Sequence, residues 1–198
     1  MAKPYDRAYF ERWYPVAGRL NTAAVVARKV ALALAATEYH LGRRLRSVLD
    51  IGCGEAAWRA PLMRLRPKLH YLGLDTSEHV LARYGRRRNI RPVAFGQLAG
   101  LRFEQRFDLL VCADVIHYLD AAELRRGLSG FAEIGAGVAF LETWCRGDAI
   151  EGDRDGFIAR SGSWYRRQFA RAGLSACGSH LYLLPELAAR AGALERCS

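Results

Sequence analysis

The stretch "SVLDIGCGEAAW" (Ser47 to Trp58) sets an acid, Asp50, two positions before a glycine-x-glycine turn, with a second acid, Glu55, inside the turn. Glycines at 52 and 54 let backbone approach a ligand closely, and Asp75, about 20 residues on, suits the hydroxyls of a ribose. Against a pyrophosphate, Asp50 and Glu55 would be like charges in a turn that would better serve phosphate as a bare helix N-terminus. Against an ammonium or a sulfonium the same acids are favourable. Farther on, "ADVIHYL" holds Asp114, His117 and Tyr118 within five positions. An imidazole titrates near neutral pH, so His117 is a candidate general base, or else a packed wall residue. Glu142 and Trp144 follow a later apolar run. Tyr9 and Trp13 belong to the aromatic segment "YDRAYFERWY" near the N-terminus.

The elements that must position these residues alternate. A short aromatic helix is predicted over 5–14 and a longer one over 21–40, with Asn21 and Thr22 as caps. Strands are predicted at 47–51, 69–75, 90–95, 106–113 and 137–143, with a last one near 174–183. Pro92 suits an edge strand. The 106–113 run is almost continuously apolar, as in a strand buried on both faces. Helices fall between the strands: 56–66 ending at Pro67, one after Thr76 or Ser77, 121–134 weakened by Gly127 and Gly130, 163–172, and one from Pro185. This order predicts an α/β fold: an open, mainly parallel sheet of six or seven strands with helices on both faces. In such sheets ligands sit beyond the carboxyl ends of the strands, where Asp50, Asp75, Gly96, Ala113 and Glu142 fall.

With 198 residues, the chain suits one domain, read as a helical cap over 1–45, with a possible lid role, and a Rossmann-like core over 46–198. Hydrophobic residues are 51% and charged residues 25%, as in ordinary globular proteins. No apolar run is long enough to span a bilayer, and the charged N-terminus does not read as a signal peptide, so a cytoplasmic location is expected. The five cysteines are scattered and form no C-x-x-C pair, which predicts neither a metal site nor a disulfide framework but reduced, mostly buried thiols. The net charge is +10, from 27 arginines and three lysines against 20 acids. That balance admits a nucleic-acid partner, but the basic residues are spread along the chain, as on a solvated surface.

A ligand with a ribose, no phosphate and a cationic end is what the glycine turn prefers, and S-adenosylmethionine has these properties. A nicotinamide dinucleotide fits the glycine spacing but not Asp50. "VLDIGCGEA" resembles the first motif of the class I S-adenosylmethionine-dependent methyltransferases, "YLGLDTS" their second acidic motif and "FDLLVCADVIHYL" their fourth-strand motif. The resemblance implies that Asp50, Gly52, Cys53 and Gly54 hold the methionine part of the cofactor. It implies Asp75 on the ribose, Thr76 and Ser77 beside the adenine, Gln97 and Leu98 facing its ring, and Ala113 and Asp114 at the sulfonium end. Ala56 stands where the family has a third glycine, and Gln97 where an acid is common.

Methyl transfer is an in-line displacement governed largely by positioning. His117 is then the candidate general base, and Tyr9, Trp13, Tyr118, Glu142 and Trp144 are candidates to line the acceptor pocket. The N-terminal aromatic segment and the Gly- and Asp-rich loop 145–162 are candidate covers. The sequence lacks the N-P-P-Y signature and any appended RNA-binding module, which favours a small-molecule acceptor. An RNA methyltransferase and a non-catalytic cofactor-binding protein are the competing readings; no membrane partner is expected.

Overall fold

The computed structural model describes residues 6–9, 22–149 and 153–197. Seven strands form one sheet in the order β3-β2-β1-β4-β5-β7-β6. They are β1 (Ser47–Ile51), β2 (His70–Asp75), β3 (Ile90–Pro92), β4 (Phe107–Ala113), β5 (Gly135–Glu142), β6 (Ser175–Gly178) and β7 (Leu181–Leu183). β1 to β5 run parallel, and β7 lies antiparallel to both β5 and β6. The strand order reverses between β1 and β4, so the crevice beyond their carboxyl ends is the switch point at which such sheets bind ligands. The expected class and the edge position of Pro92 agree with this sheet.

One face is covered by α1 (Ala23–Leu41), α2 (Arg59–Leu65), α3 (Glu78–Arg88) and the C-terminal turn α7 (Pro185–Ala188). α1 follows from its sequence: Thr22 Oγ1 accepts from the Val25 amide, Gly42 closes the helix in the left-handed region, and Val26, Val30, Ala33, Leu34 and Thr37 form the buried stripe. It rests on β4, β5 and α2, so it seals the sheet's face. At the opposite end of the sheet from the crevice, Arg43 forks onto Asp108 at 2.7 and 2.9 Å, fixing the approach to β1. The other face holds α4 (Ala121–Leu128), α5 (Phe131–Ile134) and α6 (Gly162–Arg171), with a 3₁₀ segment over Phe95–Gly100.

Four boundaries differ from expectation, each for a local reason. The helix expected over 121–134 breaks into α4 and α5, because Gly127 and Gly130 press against the 3₁₀ segment. A Cβ would meet Phe95 at 2.2 Å and the Leu98 carbonyl at 2.3 Å. The third strand stops at Pro92, and Phe95 to Gly100 coil into that 3₁₀ turn. The strand expected over 174–183 is two strands, reversed at Ser179 and His180, which take positive φ of 49° and 65°. The helix between β1 and β2 begins at Arg59 rather than 56, since Gly54 and Ala56 are left-handed. Cys53 and Cys112 are buried, Cys145 and Cys177 partly so, and Cys197 is exposed, all as free thiols. Among the described residues no helix is long and apolar enough to cross a membrane.

Candidate active site

The glycine turn folds back over the end of β2. The amides of Gly52 and Cys53 both donate to the Leu74 carbonyl, at 2.7 and 3.0 Å. Gly52 has φ +66°, and a Cβ there would lie 2.4 Å from Val115. Both conformation and space therefore demand glycine. Gly54 and Ala56 are also left-handed, at φ 50° and 58°. The third glycine position thus keeps its backbone shape with a methyl group on it, at a cost of about 1 kcal/mol. Ala56 is buried in the core cluster of that face, which offsets part of the cost.

Asp75 ties the turn to the next loop. Its carboxylate accepts from the Gly54 amide at 2.7 Å and from the Ser77 amide at 2.8 Å. Burial raises its pKa, while these backbone donors pull it down. Each oxygen keeps a lone pair for further donors, so the fixed carboxylate can still receive two hydroxyls. Thr76 is exposed beside it, and Ser77 caps α3 through a bond from the Val80 amide.

Asp50 is set deeper than an acid at a crevice mouth. It is only 3% exposed and accepts a 2.6 Å hydrogen bond from the Tyr71 hydroxyl. Val48 and Asp50 face the same side of the sheet as Tyr71, Gly73 and Asp75, because strand side chains alternate and β1 pairs Val48 with Tyr71 and Asp50 with Gly73. Burial pushes the Asp50 carboxyl up to about 7; the Tyr71 hydrogen bond lowers it and the Asp75 charge raises it further. The neighbouring Cys53 and Cys112 thiols are likewise pushed up by burial.

Across the switch point, β4 and β5 end together, with Ala113 opposite Glu142. Asp114 then turns left-handed at φ 60°, its amide donating to the Glu142 carbonyl at 3.1 Å. Such backbone strain in a non-glycine residue is typical of ligand sites. Glu142 Oε2 pairs with Lys29 Nζ from α1 at 2.6 Å, so one helix of the sheet's cover reaches the rim. His117 is buried within a 3₁₀ turn, Ile116–Tyr118. Its Nδ1 lies 3.3 Å from Thr143 Oγ1 and 3.5 Å from the Trp144 amide, and its carbonyl accepts from Ile158 at 2.9 Å. Tyr118 donates to the Asp153 carbonyl at 2.8 Å, and Phe157 packs on the His117 ring. The described part of loop 145–160 is thereby clasped onto the turn after β4.

The expected donor-side residues Asp50, Gly52, Cys53, Gly54, Asp75 and Thr76 therefore meet at the β1 and β2 ends. Ala113, Asp114, His117, Tyr118, Glu142 and Trp144 gather at β4 and β5. Tyr9 is half-buried against the α1 face of the core. Trp13 lies outside the described residues. Leu98 packs its side chain fully into the core, leaving only its backbone for a ligand. Gln97 is exposed, and its carbonyl oxygen is engaged by the Ala94 amide at 2.7 Å. Tyr71 and Lys29 escaped the sequence reading. Lys29 does fall at helical spacing between Val26 and Ala33, a cation on an apolar face, and that is its signal; Tyr71 reads as an ordinary strand aromatic.

Residues 49–136 match a family model described as a methyltransferase domain. No curated protein sequence matches the chain. Among solved structures, Streptomyces venezuelae DesVI superposes with a TM-score of 0.66 at 17% identity, covering 92% of this chain and 100% of that one. The sugar N-methyltransferase KedS8 from Streptoalloteichus gives 0.67 at 18%, covering 92% and 93%. Magnesium protoporphyrin IX methyltransferase from Synechocystis, with bound S-adenosylhomocysteine, gives 0.63 at 16%, covering 91% and 96%. At such identities the likeness is one of fold. The donor set agrees with it: a left-handed glycine turn between two strand-end carboxylates suits a ribose and a cation. Over residues 49–136 the chain is thus similar to a methyltransferase domain, within a fold that it shares with solved methyltransferases.

Proposed function

We propose that this enzyme methylates a small-molecule acceptor held between the ends of β4 and β5 and the described part of the loop that follows β5, residues 145–149 and 153–160. The observation that carries the reading is the Lys29–Glu142 pair, which puts a cation and an anion beside Ala113 and Asp114. A polar acceptor with hydroxyl or amino groups would exchange hydrogen bonds with that pair. Further support comes from the solved structures that share nearly the whole length of the chain, one of them a sugar N-methyltransferase.

S-adenosylmethionine supplies a methyl group already activated on sulfur. The residues then have to bind, orient and exclude water. Asp75 would receive the ribose hydroxyls, with Thr76 and Ser77 on the adenine side and the backbone at Gln97 and Leu98 near it. Asp50, beside Gly52 and Gly54, would meet the amino group of the amino-acid end, and Ala113 and Asp114 would border the methyl. Tyr118, Trp144 and Tyr9 wall the acceptor side. His117 clasps the covering loop; removal of an acceptor proton by this imidazole would require its Nε2.

The test is transfer of labelled methyl from S-adenosylmethionine in a cell extract, separated into small-molecule and RNA fractions. Label in small molecules, reduced by Lys29→Met and Glu142→Gln, supports the reading. Label confined to RNA would overturn it in favour of an RNA acceptor.

A further inference from the structure

We infer that Tyr71 is a positioning residue for the methyl donor, its buried hydroxyl holding the Asp50 carboxylate in place to meet the donor's ammonium group. This rests on the reading that Asp50 serves the donor.

The geometry begins with the sheet. Tyr71 pairs with Val48 and Gly73 with Asp50, so the position directly across from Asp50 carries no side chain. Cys53 occupies that space instead: a Cβ at Gly73 would lie 2.7 Å from its sulfur. The tyrosine ring runs forward along the strand, and its hydroxyl reaches Asp50 Oδ2 at 2.6 Å. Tyr71 is itself 4% exposed, so this bond is shielded from water. A buried bond to a charged acceptor is among the stronger kinds, and without it the carboxylate would lose a donor that favours its ionised form. Asn89 donates to the Tyr71 carbonyl at 2.7 Å, which fixes the backbone from which the ring projects.

The groups facing this carboxylate are Tyr71 and Asp75 from β2 and the Cys53 thiol from the turn; the Cys112 thiol of β4 lies on the other face of the sheet but feels the Asp50 charge, and Arg59, at the start of α2, acts on Tyr71. Burial holds both thiols protonated, so the charge of the pocket is decided by the two acids. A cationic ligand favours the ionised carboxylate. Donor binding therefore strengthens as pH rises through neutrality and releases protons when it occurs near pH 7. Tyr71 sets the midpoint by stabilising the ionised form.

The experiment is calorimetric titration of the full chain with S-adenosylhomocysteine between about pH 6 and pH 8, in buffers of different ionisation heat, for wild type, Tyr71→Phe and Asp50→Asn. Wild type should bind more tightly at the higher pH and release protons. Tyr71→Phe should bind roughly tenfold more weakly, with its pH midpoint moved upward. Asp50→Asn should lose both affinity and pH dependence. Wild-type affinity and midpoint in Tyr71→Phe, with Asp50→Asn still weakened, would overturn the role of Tyr71 and leave that of Asp50 standing. Wild-type binding by Asp50→Asn would remove the underlying reading. Should Tyr71→Phe fail to fold, the wild type still decides: binding without proton release at any pH in this range would overturn the inference.

Discussion

Lys29 and Glu142 lie 113 positions apart in the chain, yet their side chains meet at 2.6 Å where α1 reaches the end of β5. The pair is mostly shielded, with side-chain exposures of 21% and 15%. It joins a helix that seals one face of the sheet to the rim where an acceptor would bind.

Breaking this pair from one side should leave a mostly shielded charge that has lost this partner. Lys29→Met and Glu142→Gln should each lower stability by about 1–2 kcal/mol, between the values for exposed and fully buried pairs. The double variant should recover part of that loss. A double-mutant cycle on thermal unfolding gives the coupling. Once an acceptor is known, its KM should rise in both variants while S-adenosylhomocysteine affinity holds.

The Asp50 carboxyl predicts a pH trend in the ligand-free protein. Its folded pKa of about 7 lies above the ordinary carboxylate value, so between about pH 4 and 7 the folded state holds a proton that the unfolded state has lost. Its contribution is fully present below the unfolded pKa and disappears as pH rises through 7. Asp75, raised by burial, acts in the same direction. The exposed acids Asp120 and Glu186, lowered by their donors, act in the opposite one. Asp50→Asn should therefore flatten the fall in melting temperature across this window and raise it at pH 8. An unchanged slope would show that the carboxyl ionises as readily as in water.

The glycine turn predicts opposite outcomes at two similar positions. Gly52→Ala should destabilise by several kcal/mol, from left-handed strain together with the Val115 clash. Val115→Ala in the same chain should restore part of the loss by making room. Ala56→Gly keeps a backbone shape that glycine prefers, so the melting temperature should hold or rise, by up to about 1 kcal/mol in stability. Thermal unfolding separates the cases.

His117 should behave as a clasp. His117→Ala should cost about 2–3 kcal/mol and speed proteolytic cleavage within 145–160, since a buried acceptor and ring contacts are lost together. His117→Asn, which keeps an acceptor near Nδ1, should restore loop protection and leave methyl transfer within about tenfold of wild type. A loss of 100-fold or more in that variant, with disappearance of the acidic limb of the pH profile, would assign the imidazole to proton transfer instead.

Residue type and spacing determined the strand–helix alternation, a cap for α1 at Asn21 or Thr22 and for α3 at Thr76 or Ser77, between which the structure chose Thr22 and Ser77, and the placing of Asp50, the glycines and Asp75 at neighbouring strand ends. These are local properties: periodicity, turn conformation and cap chemistry act over a few residues. Burial is not local, and the tertiary structure decided what depends on it. It withdrew Leu98 into the core, split the helix at Gly127 and Gly130, and divided the last strand at Ser179. It also moved Asp50 from an open charge to a shielded one. An acid at 50 repels phosphate only when ionised; burial makes that ionisation costly, and the Tyr71 hydrogen bond offsets part of the cost. Lys29 reaches Glu142 only because α1 crosses the sheet face toward the strand ends, a contact that no spacing along the chain announces.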